Sequence, residues 1–94
     1  MTIKVTAESF MKNAVLKAEL SNEFPDVIFW DRNVTLHEFC ADAEILLVGR
    51  EQIDVALLSQ CPHLKHIAKY GVGLDNIDLT ACSERGISIG FTPG

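Results

Sequence analysis

Residues 44–70, EILLVGREQIDVALLSQCPHLKHIAKY, decide the fold of this chain. From Glu44 to Val48 the chain gives a continuous apolar run, the signature of a strand covered on both faces. Ile53, Leu57 and Leu58 then fall on one face of a short helix. That helix must end near Cys61, because Pro62 disfavours helical geometry in the residue before it. Lys65 to Tyr70 supplies the next strand. A strand, a helix and a second strand at this spacing make a parallel unit with a right-handed connection.

The same alternation extends in both directions. Upstream, Ile3 to Thr6 reads as a first strand. Ala7, Phe10, Met11, Ala14, Val15 and Ala18 then form the stripe of one amphipathic helix, with Ser9 placed to cap it. Pro25-Asp26 breaks the chain before Val27 to Trp30, a β-branched and aromatic run that suits a strand. Thr35 and Glu38 have capping-box spacing and open a brief helix carrying Leu36, Phe39 and Cys40. Downstream, Asp78 to Arg85 reads as a helix closed by Gly86, and Ile87 to Phe91 as a fifth strand. The predicted fold is α/β: a flavodoxin-like, doubly wound, five-stranded parallel sheet of order 2-1-3-4-5. Thr92-Pro93-Gly94 follows its last strand directly, so the sheet reads as incomplete at the C-terminus, with further helical or domain structure expected after it.

Composition narrows the functions. Ninety-four residues make one small domain, and a hydrophobic content of 48% implies a packed core. The apolar runs are too short to cross a bilayer, and the N-terminus lacks the basic and apolar regions of a secretory signal, so a cytoplasmic location without membrane partners is expected. Cys40, Cys61 and Cys82 are odd in number and widely spaced, which fits reduced core thiols rather than a disulfide framework or a zinc site. A net charge of −5 without a Lys/Arg cluster argues against nucleic acid. His63 and His66 have no carboxylate or thiolate at ligand spacing and read as surface or edge residues, while Phe29 and Trp30 read as core. Glu8, Asp31 and Glu51 do not match a phosphoacceptor pocket: there is no acidic pair after the first strand, Gly49 ends the third, and no lysine follows the fifth.

Gly71-Val72-Gly73 follows the fourth strand. A dinucleotide fingerprint belongs after the first strand of its unit, with a third glycine where this chain has Asn76 and an acid about 20 residues on. The stretch is therefore not a dinucleotide loop. Two readings stay open: a turn whose N–H groups take a small carboxylate or phosphate at the carboxyl ends of the strands, or a turn that only redirects the chain. Lys69, just before it, could reach such an anion or simply be solvated.

The stretch LKHIAKYGVGLDNIDLTACSERGISIGFTPG, Leu64 to Gly94, resembles the amino-terminal, substrate-binding domain of the D-isomer-specific 2-hydroxyacid dehydrogenases, the group that includes phosphoglycerate dehydrogenase. The combination of GVG, DNID, RGI and TPG carries the likeness. ILLVGREQID, Ile45 to Asp54, is similar to the family segment before it, and residues 1–40 agree in layout only. The resemblance implies that the amides of Val72 and Gly73 hold a substrate carboxylate, with Tyr70, Gly71 and Leu74 lining the site. It also makes Arg50 a candidate for a phosphate or second carboxylate, and it gives Asp75 to Asp78 the tasks of fixing the turn and capping the helix.

The substrate so implied is a small 2-hydroxy or 2-oxo acid and the cofactor is NAD. The NAD-binding domain, the catalytic histidine with its acid, and the catalytic arginine are all expected beyond Gly94. Residues 1–94 alone are thus expected to bind substrate but not transfer hydride. Family helices that would cover the sheet lie outside this stretch, so the chain by itself is expected to self-associate as a homodimer. The alternative is a free-standing flavodoxin-like module that binds small anions or regulates.

Overall fold

The computed structural model describes residues 2–70 and 73–92, and of residues 11, 91 and 92 the backbone alone. Five parallel strands, β1 (Ile3–Val5), β2 (Ile28–Phe29), β3 (Ile45–Val48), β4 (His66–Tyr70) and β5 (Ser88–Thr92), form one sheet in the order β2-β1-β3-β4-β5. This is the order expected from the alternation of strands and helices. Along the register, Val5 stands opposite Phe29 and Leu47, Leu47 opposite Ala68, and Ala68 opposite Gly90.

The helices are α1 (Glu8–Lys12), α2 (Ala14–Glu23), α3 (Leu36–Cys40), α4 (Val55–Leu58) and α5 (Leu79–Glu84). Thr35 caps α3 as expected, its hydroxyl accepting from the Glu38 N–H at 3.2 Å, and Gly86 follows α5 with φ +69°. The single helix read after β1 is in fact two. Asn13 is extended there, and its side-chain oxygen accepts from the N–H groups of Val15 and Leu16 at 3.1 and 3.2 Å. A short polar side chain that satisfies two N–H groups locally starts a new helix rather than continuing the old one. Ser9 is not the cap of α1: Ala7 occupies that position and makes no side-chain capping bond. Because the helical register restarts at Asn13, Val15 lies 66% exposed while Leu16 and Leu20 turn toward the sheet.

Alternation along the strands divides the core. Leu46 and Val48 of β3 and Ile67 of β4 pack against Phe39, Leu57, Leu58 and Cys82 of α3, α4 and α5 in the larger cluster. On the opposite face Val5, Ala7 and Phe10 are buried with partial help from Leu16, Leu20, Phe29, Leu47 and Tyr70. β3 is therefore not covered equally on both faces. Leu46 and Val48 are buried, but Ile45 and Leu47 are only partly so, as are the side chains of His66, Ala68 and Tyr70 in β4, because the Val5, Ala7 and Phe10 cluster on that face is the smaller one.

Phe29 belongs to the smaller cluster, whereas Trp30 sits at the margin of the larger one, stacked on Phe39 at 6.3 Å and donating its indole N–H to the Val34 carbonyl at 2.9 Å. Cys40, Cys61 and Cys82 are free and buried, and burial pushes all three thiols up, Cys40 to about 12. Among the described residues no helix is long and apolar enough to cross a membrane.

Candidate substrate-binding site

β3 and β4 are neighbours in a parallel sheet, so the loops that leave their carboxyl ends emerge side by side. They are stitched together. Ile53 and Ile77 form an isolated parallel bridge, in which the Ile53 N–H donates to the Asn76 carbonyl at 2.8 Å and the Asp78 N–H to the Ile53 carbonyl at 2.9 Å. Immediately after the bridge each loop starts a helix with an aspartate cap. Asp54 accepts from the Leu57 N–H and Asp78 from the Ala81 N–H, both at 3.0 Å. Capping by the DNID segment is as the sequence implies.

Beneath the loops lies a polar knot. The Asn76 amide donates to the carbonyls of Gly49 at 2.9 Å and Glu51 at 2.7 Å. Lys69 is only 4% exposed, and its ammonium donates to the Gly49 carbonyl and to the Asn76 side-chain oxygen. The Glu51 carboxylate turns back to accept from the Gly49 N–H at 2.7 Å. Among the described residues, no carboxylate forms an ion pair with Lys69.

The residues assigned to substrate are distributed around this knot. Gly73 has φ +80°, a left-handed conformation that favours glycine, whereas the Asp75 carboxylate that a Cβ would meet at 2.7 Å is the end of an exposed side chain free to swing away. Leu74 packs on the larger core cluster. Tyr70 points the other way, edge-on to Phe10 at 4.8 Å, so it and Leu74 pack against different cores. Arg50 is exposed at the end of β3. The Glu8 carboxyl is held below its usual range, mainly by the hydrogen bond and charge of Lys12, with smaller contributions from Arg32 and Arg50. Gly71 and Val72 lie outside the described residues.

At the position of a third fingerprint glycine stands Asn76, whose side chain bonds Gly49, Glu51 and Lys69. An open depression of about 440 Å³ lies at the opposite, amino-terminal ends of the strands, lined by Thr2, Asp42, Glu44 and Lys65 among others. Its charged groups pair locally, Lys65 with Glu44 at 3.5 Å and Lys4 with Asp42 at 2.9 Å. His66 bonds the Ser88 hydroxyl at 2.7 Å, and no metal-binding group exists among the described residues.

A family model described as the catalytic domain of D-isomer specific 2-hydroxyacid dehydrogenases matches residues 4–94. The chain belongs to this family. It is similar to a glyoxylate reductase of Aeropyrum pernix, at 37% identity over 82 residues that cover 81% of this chain and 24% of that protein. It is also similar to an erythronate-4-phosphate dehydrogenase of Tolumonas auensis, at 36% identity over 84 residues, or 88% of this chain and 22% of that protein. Among solved structures it matches the NAD+-bound 3-phosphoglycerate dehydrogenase of Entamoeba histolytica with a TM-score of 0.76 and 27% identity, covering 99% of this chain and 33% of that one. This dehydrogenase-family chain thus spans less than a quarter of the length of each of the two curated relatives.

Sequence reasoning did not assign Lys69 and Asn76 to one structure. A signal was present for Lys69. In β4 the alternation that buries Ile67 also points residue 69 at the core, and a lysine on a buried face demands partners. Asn76 gave only the sign of a polar residue beside the buried Ile77, because its acceptors come from the other loop.

Proposed function

We propose that this chain is the substrate-binding portion of an NAD-dependent D-2-hydroxyacid dehydrogenase of phosphoglycerate dehydrogenase-like type, acting in the cytoplasm on a small 2-hydroxy or 2-oxo acid. One observation carries the reading beyond family membership. At the carboxyl edge of a parallel sheet, Gly73 in the left-handed conformation is followed by Asn76, which is bonded to the loop that bears Arg50. Turn amides of this kind suit a carboxylate, and a guanidinium suits a further anionic group. The residues proposed to take part are Tyr70, Gly71, Val72, Gly73, Leu74 and Arg50. Relatives that reduce glyoxylate or oxidise a phosphorylated acid, as their names state, support this substrate class.

NAD is proposed as cofactor of the complete protein, bound by a further domain, because the glycine stretch of residues 1–94 follows the fourth strand and has Asn76 where a dinucleotide fingerprint needs its third glycine. The work of residues 1–94 is to hold and orient the acid, an orientation that lowers the entropic part of the barrier once cofactor and acid/base groups meet it. The test is to assay the complete protein with NADH and a panel of 2-oxo acids, and separately to titrate residues 1–94 with glyoxylate by NMR. Turnover by the complete protein, none by residues 1–94, and shifts centred on the Gly73 amide are expected. Binding without turnover by the complete protein would favour an anion-binding regulatory module instead.

A further inference from the structure

The backbone is held on both sides of Arg50, while the arginine side chain itself is unengaged. The Asn76 amide donates to the Gly49 carbonyl at 2.9 Å and to the Glu51 carbonyl at 2.7 Å, the residues immediately before and after Arg50. The Glu51 carboxylate closes the same loop from within by accepting from the Gly49 N–H at 2.7 Å. Arg50 is exposed, and its guanidinium makes no hydrogen bond or ion pair among the described residues.

The Asn76 side chain can make these bonds in one orientation only. Its oxygen accepts from the Lys69 ammonium at 2.7 Å. An ammonium has donors and no acceptor, so the amide oxygen must face Lys69 and the NH2 must face the two carbonyls. Its N–H groups thus go to the two flanks of Arg50. The bridge between Ile53 and Ile77 already joins the loops after β3 and β4, so the tie at residues 49 and 51 is not needed to bring them together. What it adds is a fixed backbone from which one exposed arginine projects.

Resting on the reading of Arg50 as the contact for a second anionic group, we propose that Asn76 is the positioning residue of Arg50: it holds the backbone of residues 49–51 in one conformation, so that the guanidinium meets a second carboxylate or a phosphate from a loop already ordered. A loop fixed beforehand carries no ordering cost at the moment of binding. An acid with a single carboxylate gains nothing at Arg50 and is indifferent to the tie. Asn76 therefore acts on the choice between these two classes of acid and not on hydride transfer, and it touches neither the acid nor the cofactor in this role.

The test is a double-mutant cycle of Asn76→Ala and Arg50→Ala in the complete protein, with NADH and three 2-oxo acids: glyoxylate with one carboxylate, oxaloacetate with two, and phosphohydroxypyruvate with a carboxylate and a phosphate. For whichever dianionic acid Arg50→Ala affects, Asn76→Ala should raise KM about fivefold, with kcat and the KM for glyoxylate within about twofold. In the Arg50→Ala background the same substitution should change no KM further, since no guanidinium is left to position. Glu51→Gln, which weakens the bond to the Gly49 N–H, should act in the same direction less strongly, and it decides the cycle if Asn76→Ala is too unstable to assay. A rise in KM equal for glyoxylate and the dianionic acids, or one that persists without Arg50, overturns the proposal and leaves Asn76 a structural tie. An Arg50→Ala protein with wild-type KM for all three acids overturns the Arg50 reading and the positioning role with it. A complete protein that reduces no 2-oxo acid overturns the dehydrogenase reading and everything that rests on it.

Discussion

Ile53 and Ile77, from the loops after adjacent strands, meet as a one-residue parallel bridge, and the aspartate that follows each of them caps the helix leading away. Both isoleucines are buried, at 0 and 5% exposure, so the bridge belongs to the core rather than to a surface contact. Asp78→Ala removes the acceptor for the Ala81 N–H and should lower stability by about 1 kcal/mol. Urea unfolding followed by circular dichroism measures this, with an unchanged slope expected because the surface exposed on unfolding stays the same; wild-type stability in Asp78→Ala would refute the cap.

Gly73→Ala places a side chain at φ +80° and within 2.7 Å of the Asp75 carboxylate. The left-handed conformation should cost about 1–2 kcal/mol, while the exposed Asp75 carboxylate can swing aside. The turn should also lose affinity for carboxylates. A variant with wild-type stability in the same urea titration would refute the glycine requirement.

The buried thiols set an alkaline limit. In the unfolded chain Cys40 ionises near its ordinary value of 9.0, while in the folded chain burial holds it protonated up to about 12. Above pH 9 the unfolded state therefore binds fewer protons than the folded one, and the slope of stability with pH is negative. Stability should fall between pH 9 and about 12, by up to about 1.4 kcal/mol per pH unit for this thiol. Cys40→Ala should flatten that decline, and a thiol reagent should label the native protein far more slowly than the unfolded one.

Arg50→Ala separates substrate classes. Arg50 is exposed at the rim and makes no hydrogen bond or ion pair among the described residues, so its removal should leave stability unchanged. In the complete protein the KM for phosphorylated or dicarboxylic acids should rise roughly tenfold or more while that for glyoxylate stays the same. Equal Michaelis constants across the panel would remove Arg50 from the site.

Residues 1–94 on their own should self-associate. The outer side chains of β4, His66, Ala68 and Tyr70, are only half-buried, as are Ile45 and Leu47 of β3. An apolar sheet face left partly open favours a twofold partner. Light scattering should report a dimer at high concentration; a monomer with cooperative unfolding would show that this face is stable uncovered.

The order of the elements, the caps at Thr35 and Asp78 and the left-handed Gly86 were all legible along the chain, because each depends on residues within a few positions of one another. The break at Asn13 shows where that locality misleads. An apolar stripe can be followed across a residue whose side chain bonds its own backbone, and here the two local signals competed. Glu44 to Val48 read as a strand covered on both faces, and one face is covered only in part, since an apolar run states what a strand can bury and not how much its neighbours cover. The site divides in the same way. Gly73 and Arg50 were marked by residue type and family pattern, but only the tertiary structure joined Lys69 to Gly49 and Asn76 to Gly49, across 20 and 27 positions of sequence. Those bonds exist because parallel pairing of β3 and β4 brings the loops together, and the desolvation of a buried ammonium leaves it no partners but the ones that pairing supplies.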